Sequence, residues 1–436
     1  VSSVIVLFTQ DLRVHDHPAL TAAVGAADTV LPVFVVDPRI VARSARNRCG
    51  YLAEALADLR AGLRARGGDL VVREGDTVVR VRELAALTGS DTVFLTAGVS
   101  RCATRREDRL RGSGLTVRAL PGLTVVPPGG VTPAGGDHYR VFTPYWRAWA
   151  AHERRPVLPA PDGMRLPGGV EPGSIPAGLA EAGTGAPAPD RLTGGEAAAR
   201  ERLRAWLDRG LTRYAERRDD LPAAATSRLS ADLRFGCLSP LEVAEAAEAA
   251  DAGPGAEEFV RQLAWRDFHH QVVRAFPELP ERDYRSRGRQ WRTDPDALDA
   301  WRRGRTGVPI VDAGMRQLLR EGFVHNRARM IAAAFLTRTL RVHWRAGADH
   351  FDAHLVDGDV ADDYGNWQWV AGTGNDTRPN RPFNPLRQAR RFDPEGDYVR
   401  RHVPELRDLP GGRALTPWRE PEPPDGYPPP VADPGR

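Results

Sequence analysis

The stretch from Asp357 to Gly374 concentrates the residues best suited to chemistry. Asp357, Asp359, Asp362 and Asp363 stand among glycines and run into two tryptophans two residues apart, Trp367 and Trp369. A buried indole N–H needs a partner, so carboxylates and permissive backbone beside it describe a lined pocket. Upstream, Thr226-Ser227-Arg228-Leu229-Ser230 sets hydroxyls and an arginine in a loop ahead of a helix. Such donors suit a pyrophosphate, and they equally suit an ordinary capping turn. From Arg261 to Arg345, eighteen arginines face nine acidic residues. That excess fits a binder of phosphate backbones or a solvated helical face.

Composition removes several chemistries. The chain has no lysine, which excludes a Walker A lysine and a Schiff-base lysine. Cys49, Cys102 and Cys237 are far apart and form no metal-binding spacing. No metal is expected, and a reducing, cytoplasmic compartment fits. No apolar run reaches ~18 residues, so no membrane span is expected. Val1 to Phe8 reads as a strand, without the basic flank of a signal peptide.

Two kinds of element must position these residues. Val4–Phe8, Val30–Val36, Leu70–Val72, Val93–Leu95 and Thr116–Ala119 are short valine-rich runs. They alternate with helical patterns such as Tyr51–Arg64 and Val78–Leu87, which predicts a parallel sheet covered by helices. Ligands of such sheets bind beyond the carboxyl ends of the strands, but no GxGxxG is present. From Pro156 to Gly195, 17 of 40 residues are proline or glycine. After Glu196 the spacing turns helical over Glu196–Asp208, Pro240–Ala250, Glu257–Phe276, Pro295–Arg303, Ile310–Glu321 and Asn326–Leu340. The expected division is an α/β body over 1–127, a linker over 128–195 and an all-α body over 196–436.

Further pieces complete a pattern: Trp265-Arg266-Asp267-Phe268, Trp301-Arg302-Arg303-Gly304-Arg305-Thr306-Gly307, His325-Asn326-Arg327-Ala328-Arg329-Met330 and His343-Trp344-Arg345. In order and spacing they resemble the DNA photolyase and cryptochrome family from Val4 to about Trp418. The resemblance implies an N-terminal α/β antenna domain and a helical domain enclosing FAD, active as FADH⁻. Carried over, Tyr214, Thr226, Ser227, Arg228, Leu229, Ser230 and Arg266 would contact the flavin or its phosphates. Arg329 would pair with Asp357 beside the ring, with Asp359 and Asp363 lining it. Trp265 and Trp369 would wall a pocket for a flipped-out lesion, and Arg327 and Arg381 would meet the DNA backbone. Trp367, Trp344 and Trp301 would carry electrons between flavin and surface. The implied substrate is UV-damaged DNA, met by a monomer in the cytoplasm at the nucleoid.

Within the family, the six-four branch needs two histidines four apart on one helix face. Here those positions are Asn326 and Met330, neither an acid near neutral pH. They resemble the class I cyclobutane pyrimidine dimer branch. Gln262 stands where that branch often has glutamate; its amide can donate but cannot share a proton. Asp363 stands where photolyases usually have asparagine. Burial raises a carboxyl's pKa, so it could protonate a photoreduced flavin, as in a blue-light photoreceptor. That is the alternative reading, opposed by the short tail after the family core. For the antenna, Phe34, Asp37 and Arg48 resemble a pocket for 8-hydroxy-5-deazaflavin. A folate, methenyltetrahydrofolate, is the lesser expectation, because Ala103–Arg106 lacks the carboxylate of folate-binding members.

Overall fold

The computed structural model describes residues 2–378 and 383–434. Five parallel strands form one sheet: β1 Ser3–Leu7, β2 Thr29–Val36, β3 Val71–Glu74, β4 Thr92–Thr96 and β5 Thr116–Leu120, in the order β3-β2-β1-β4-β5. The valine-rich runs therefore form the sheet, within two residues of the expected ends. Ile5, Leu7, Leu31, Val33, Val71 and Val93 are buried, as strands covered on both faces require. The helices Arg46–Arg64, Thr77–Thr88 and Arg101–Arg111 connect the strands. The last of these was not expected, since only Ala103, Glu107 and Leu110 mark its buried side.

The chain forms two compact units. The first comprises Val1–Gly185, Leu192–Thr212 and Ser227–Pro277; the second comprises Ala186–Arg191, Arg213–Thr226 and Glu278–Arg436. The first unit thus takes in the helix Pro254–Ala275, which composition alone joins to the helical body. Buried polar bonds explain the grouping. Asp267 Oδ2 on that helix accepts from Val125 N at 2.9 Å, Val126 N at 3.0 Å and Trp149 Nε1 at 2.8 Å. Burial pushes the Asp267 carboxyl up to about 6, and these donors, with Arg266, hold the rise in check. Trp149 belongs to a helix, Phe142–Ala150, inside the stretch read as linker. Its aromatic residues Phe142, Tyr145 and Trp149 recur at helical spacing and are buried.

The second unit is helical. Pro309–Glu321, Asn326–Ala334, Trp344–His354 and Val360–Ala371 enclose a core containing Trp301, Met315, Phe335, Trp344, Phe351 and Trp367. The expected helix Asn326–Leu340 changes pitch at Phe335–Thr339, a π-helical turn. Thr337 Oγ1 donates to Ala333 O at 2.7 Å there, a local bond that competes with the regular ladder. Glycine is required at Gly347, where a Cβ would lie 2.3 Å from the Trp367 ring. No helix of the described residues is long and apolar enough to cross a membrane.

Candidate active site

In the second unit, three short elements bring a half-buried cation and three carboxylates together. His325 caps the helix Asn326–Ala334, its Nδ1 accepting from Arg327 N at 3.2 Å. One turn on, Arg329 Nη2 donates to Asp357 Oδ2 at 2.7 Å and Nε donates to Val324 O at 2.7 Å. Its Nη1 lies 3.8 Å from Asp363 Oδ1. Asp359 caps the helix Val360–Ala371 by accepting from Ala361 N and Asp362 N, and its own N–H donates to Asp363 Oδ2 at 3.0 Å.

Burial pushes the Asp363 carboxyl up to about 8; Arg329 opposes this, and Asp357, Asp352 and Asp359 add to it. Burial disfavours the charge on Arg329, but Asp357 and Asp363 more than offset it, so its pKa is raised. The cluster therefore holds a fixed positive charge, and beside it a carboxyl that keeps its proton near neutral pH.

The tryptophans lie in the same unit. Trp367 meets Trp301 at 6.0 Å and Phe351 at 5.0 Å between ring centroids. Trp344 is fully buried, and its Nε1 donates to Asp283 Oδ1 at 2.8 Å. Trp301 does not fit the outer end of a chain running to the surface. It is 0% exposed, donates Nε1 to Ala332 O at 3.0 Å and packs on Phe351. Sequence reasoning missed Trp291, which is half-buried and lies 5.1 Å from the ring of His343; that ring is in turn 5.5 Å from Trp344. Exposure at one edge is the signal that separates Trp291 from Trp301, and periodicity does not report it.

Asn326 is exposed and Met330 half-buried, one turn apart on one helix face. Met330 and Trp369 both pack at the margin of the helical core. Arg327 is bound by Asp219 through Nε at 3.2 Å and Nη2 at 2.7 Å. Arg381 lies outside the described residues. Part of the arginine excess is compensated within this unit, by Arg316 with Glu405, Arg320 with Asp190 and Arg327 with Asp219.

In the first unit, Trp265 is half-buried and stacks on Phe142 at 3.6 Å and 7°. One ring face is thus already covered by a residue that sequence reasoning missed. Gln262 donates Nε2 to Glu258 Oε1 at 2.8 Å. Arg266 donates Nη1 to Leu123 O and Nη2 to Leu233 O.

Tyr214 and Thr226 belong to the second unit, Ser227 to Ser230 to the first. Tyr214 and Leu229 are buried, and Ser230 opens the helix Ser230–Phe235. Arg228 has φ +56°, a left-handed conformation that costs a non-glycine residue of order 1–3 kcal/mol and collects at functional sites.

Phe34 lies near the carboxyl end of β2, and Asp37 just beyond it caps a helical turn and is gripped by Arg39. Arg48 is buried on the helix Arg46–Arg64. Strand order changes direction between β1 and β4, where an α/β sheet offers its crevice. There Asp11 accepts from Thr96 Oγ1 at 2.6 Å and faces His17 Nε2 at 3.0 Å, a pair that sequence reasoning passed over.

Two family models match the chain: DNA photolyase over residues 4–162, and the FAD binding domain of DNA photolyase over residues 259–435. A deoxyribodipyrimidine photo-lyase from Streptomyces griseus is 49% identical, over 96% of this chain and 93% of that protein. The chain belongs to the DNA photolyase family. Among solved structures of this photolyase and cryptochrome group, a class III photolyase from Agrobacterium tumefaciens superposes with a TM-score of 0.91 at 35% identity. That match covers 99% of this chain and 95% of the other. A cryptochrome from Synechocystis superposes with a TM-score of 0.92 at 28% identity, covering 99% and 97%. The photolyase fold therefore extends over the whole chain, sheet and helical units alike.

The donor set of the photolyase's helical unit suits a flavin. Arg329 supplies a fixed cation, and Asp363 a carboxyl able to hold or yield one proton.

Proposed function

We propose that this photolyase repairs cyclobutane pyrimidine dimers in UV-damaged DNA under blue light, as a member of the class I branch, with FAD kept as FADH⁻. The pair Asn326 and Met330 carries the reading. These residues share one helix face and supply no acid, so the site favours a lesion that splits without proton transfer. The 49% identity to a protein named deoxyribodipyrimidine photo-lyase supports it.

When bound, the flavin supplies one electron to the dimer and recovers it, so no reductant is consumed. The protein's part is positional. Arg329 and Asp357 hold the charge beside the ring, and the Thr226–Ser230 loop, Tyr214 and Arg266 receive the rest of the cofactor. By the resemblance to the family, Trp265 and Trp369 are the rings on which the flipped pyrimidines stack. Stacking returns ~1–3 kcal/mol per base against an unstacking cost of about a few kcal/mol. Gln262 donates to the pyrimidine carbonyls once it releases Glu258. Trp367 passes electrons inward when the flavin must be re-reduced.

A second reading, a blue-light photoreceptor, rests on the protonated Asp363. Blue-light turnover of an oligonucleotide with one cyclobutane dimer, by the fully reduced protein, separates the two. Repair of the dimer and not of a six-four photoproduct is expected. No repair by protein with intact flavin and normal photoreduction would leave the photoreceptor reading.

We further assign the sheet unit an antenna chromophore, 8-hydroxy-5-deazaflavin, rather than methenyltetrahydrofolate. Glu107, the carboxylate nearest the folate position, is buried and accepts from Gly98 N at 3.3 Å and Arg111 at 3.4 Å. Chromophore released by heat should show deazaflavin fluorescence; a pterin spectrum would reverse the assignment.

A further inference from the structure

Arg327 stands on the first turn of the helix Asn326–Ala334, and two side chains fix its guanidinium. Asp219 accepts from Nε and Nη2, a bidentate grip on one edge. The Phe392 ring lies 4.4 Å from the guanidinium carbon. The same ring carries Arg391 at 5.1 Å. Arg391 is exposed and makes no ion pair among the described residues. Two guanidinium groups thus gather on one phenyl ring, and the carboxylate of Asp219 pairs with Arg327 alone.

A carboxylate next to an arginine that must bind phosphate is an electrostatic disadvantage, because it repels the incoming anion. It brings a geometric advantage. A free arginine must give up rotamer freedom on binding, whereas a guanidinium gripped along one edge and stacked on one face has already done so. The edge that remains is Nη1.

We propose that Asp219 is a positioning residue, holding the Nε–Nη2 edge of Arg327 so that Nη1 meets a phosphodiester of the damaged strand. The inference rests on the reading of Arg327 as a DNA-backbone contact.

The test is binding in the dark by the full-length, flavin-loaded protein. The probes are a duplex oligonucleotide with one thymine dimer and the same duplex undamaged. D219N removes a negative charge, which by charge alone strengthens binding to any DNA. Positioning predicts the reverse for the dimer, a loss of about tenfold, the scale of one charge-assisted hydrogen bond. Binding to undamaged duplex is not weakened. D219E, which keeps the carboxylate, restores most of the loss, and D219N adds nothing in an R327Q background.

Tighter binding of D219N to both duplexes would make Asp219 a competitor of phosphate and overturn the proposal. So would an R327Q that weakens dimer binding while D219N leaves it unchanged. An R327Q with wild-type dimer affinity would instead remove Arg327 from the interface, and the reading beneath the proposal with it.

Discussion

W367F is expected to abolish photoreduction of the bound flavin while leaving dimer repair intact once the protein is reduced chemically. The ring is 4% exposed and packed against Trp301, Phe351 and the bare backbone of Gly347. Phenylalanine keeps an aromatic ring in that space, so the cost in stability stays below the roughly 3–5 kcal/mol of truncation to alanine. What phenylalanine cannot do is give up an electron as readily as an indole. Transient absorption of the oxidised protein after a blue flash reads the first effect, and repair by dithionite-reduced protein reads the second. Equal photoreduction in variant and wild type would remove Trp367 from the electron path. The same experiment separates the outer tryptophans. Trp301 has no exposed edge, so W301F should leave photoreduction largely in place. Trp291 is partly exposed and joined to Trp344 through His343, so W291F should slow it.

D363N should have the second largest effect, and it has two readouts. Asparagine fills the same space without a proton to yield, so the visible spectrum of the photoreduced flavin should shift to the form lacking the added proton. An unchanged spectrum would mean that Asp363 is not the donor.

The second readout is stability against pH. The carboxyl sits at about 8 in the folded protein, against ~3.9 in an unfolded chain. Between those values the folded state keeps a proton that the unfolded state has released. Its contribution is therefore fully present below ~pH 4 and is lost as pH rises toward about 8, amounting to several kcal/mol over the window. The asparagine variant has no such slope and should gain on the wild type in denaturant midpoint between about pH 6.5 and 8.5. A constant difference across that range would show that Asp363 is already ionised in the folded protein.

Much of this was legible from residue order. Valine runs locate the five strands because β1, β2 and β4 lie mostly buried between helices, while β3 and the edge strand β5, which carry Arg73, Glu74 and Arg118, keep enough β-branched residues to show. The run of Asp357, Asp359 and Asp363 was legible as neighbouring carboxylates, but their meeting with Arg329, 28 residues from Asp357, was implied only by the resemblance to the family. Other features depend on contacts that no local pattern encodes. The resemblance to the family implies Trp301 as a member of a chain running to the surface, yet its ring is fully buried, which residue order does not report. Phe142 reads as one aromatic in a spacer, yet it covers a face of Trp265. The grip of Asp219 on Arg327 joins residues 108 apart in sequence. The π turn at Phe335 arises where Thr337 bonds back to the helix, and apolar spacing runs through it unchanged.

The position of Asp267 also sets an order of events during synthesis. Its acceptor oxygen serves Val125, Val126 and the Trp149 indole, which precede it in the chain by 142, 141 and 118 residues. A ribosome releases the sheet and these three donors long before their acceptor emerges. Until then the donors can be satisfied only by water, and the segment that carries Phe142 has no Trp265 to stack on. The nascent sheet can form early, but the stack of Phe142 on Trp265 closes only when the helix Pro254–Ala275 arrives.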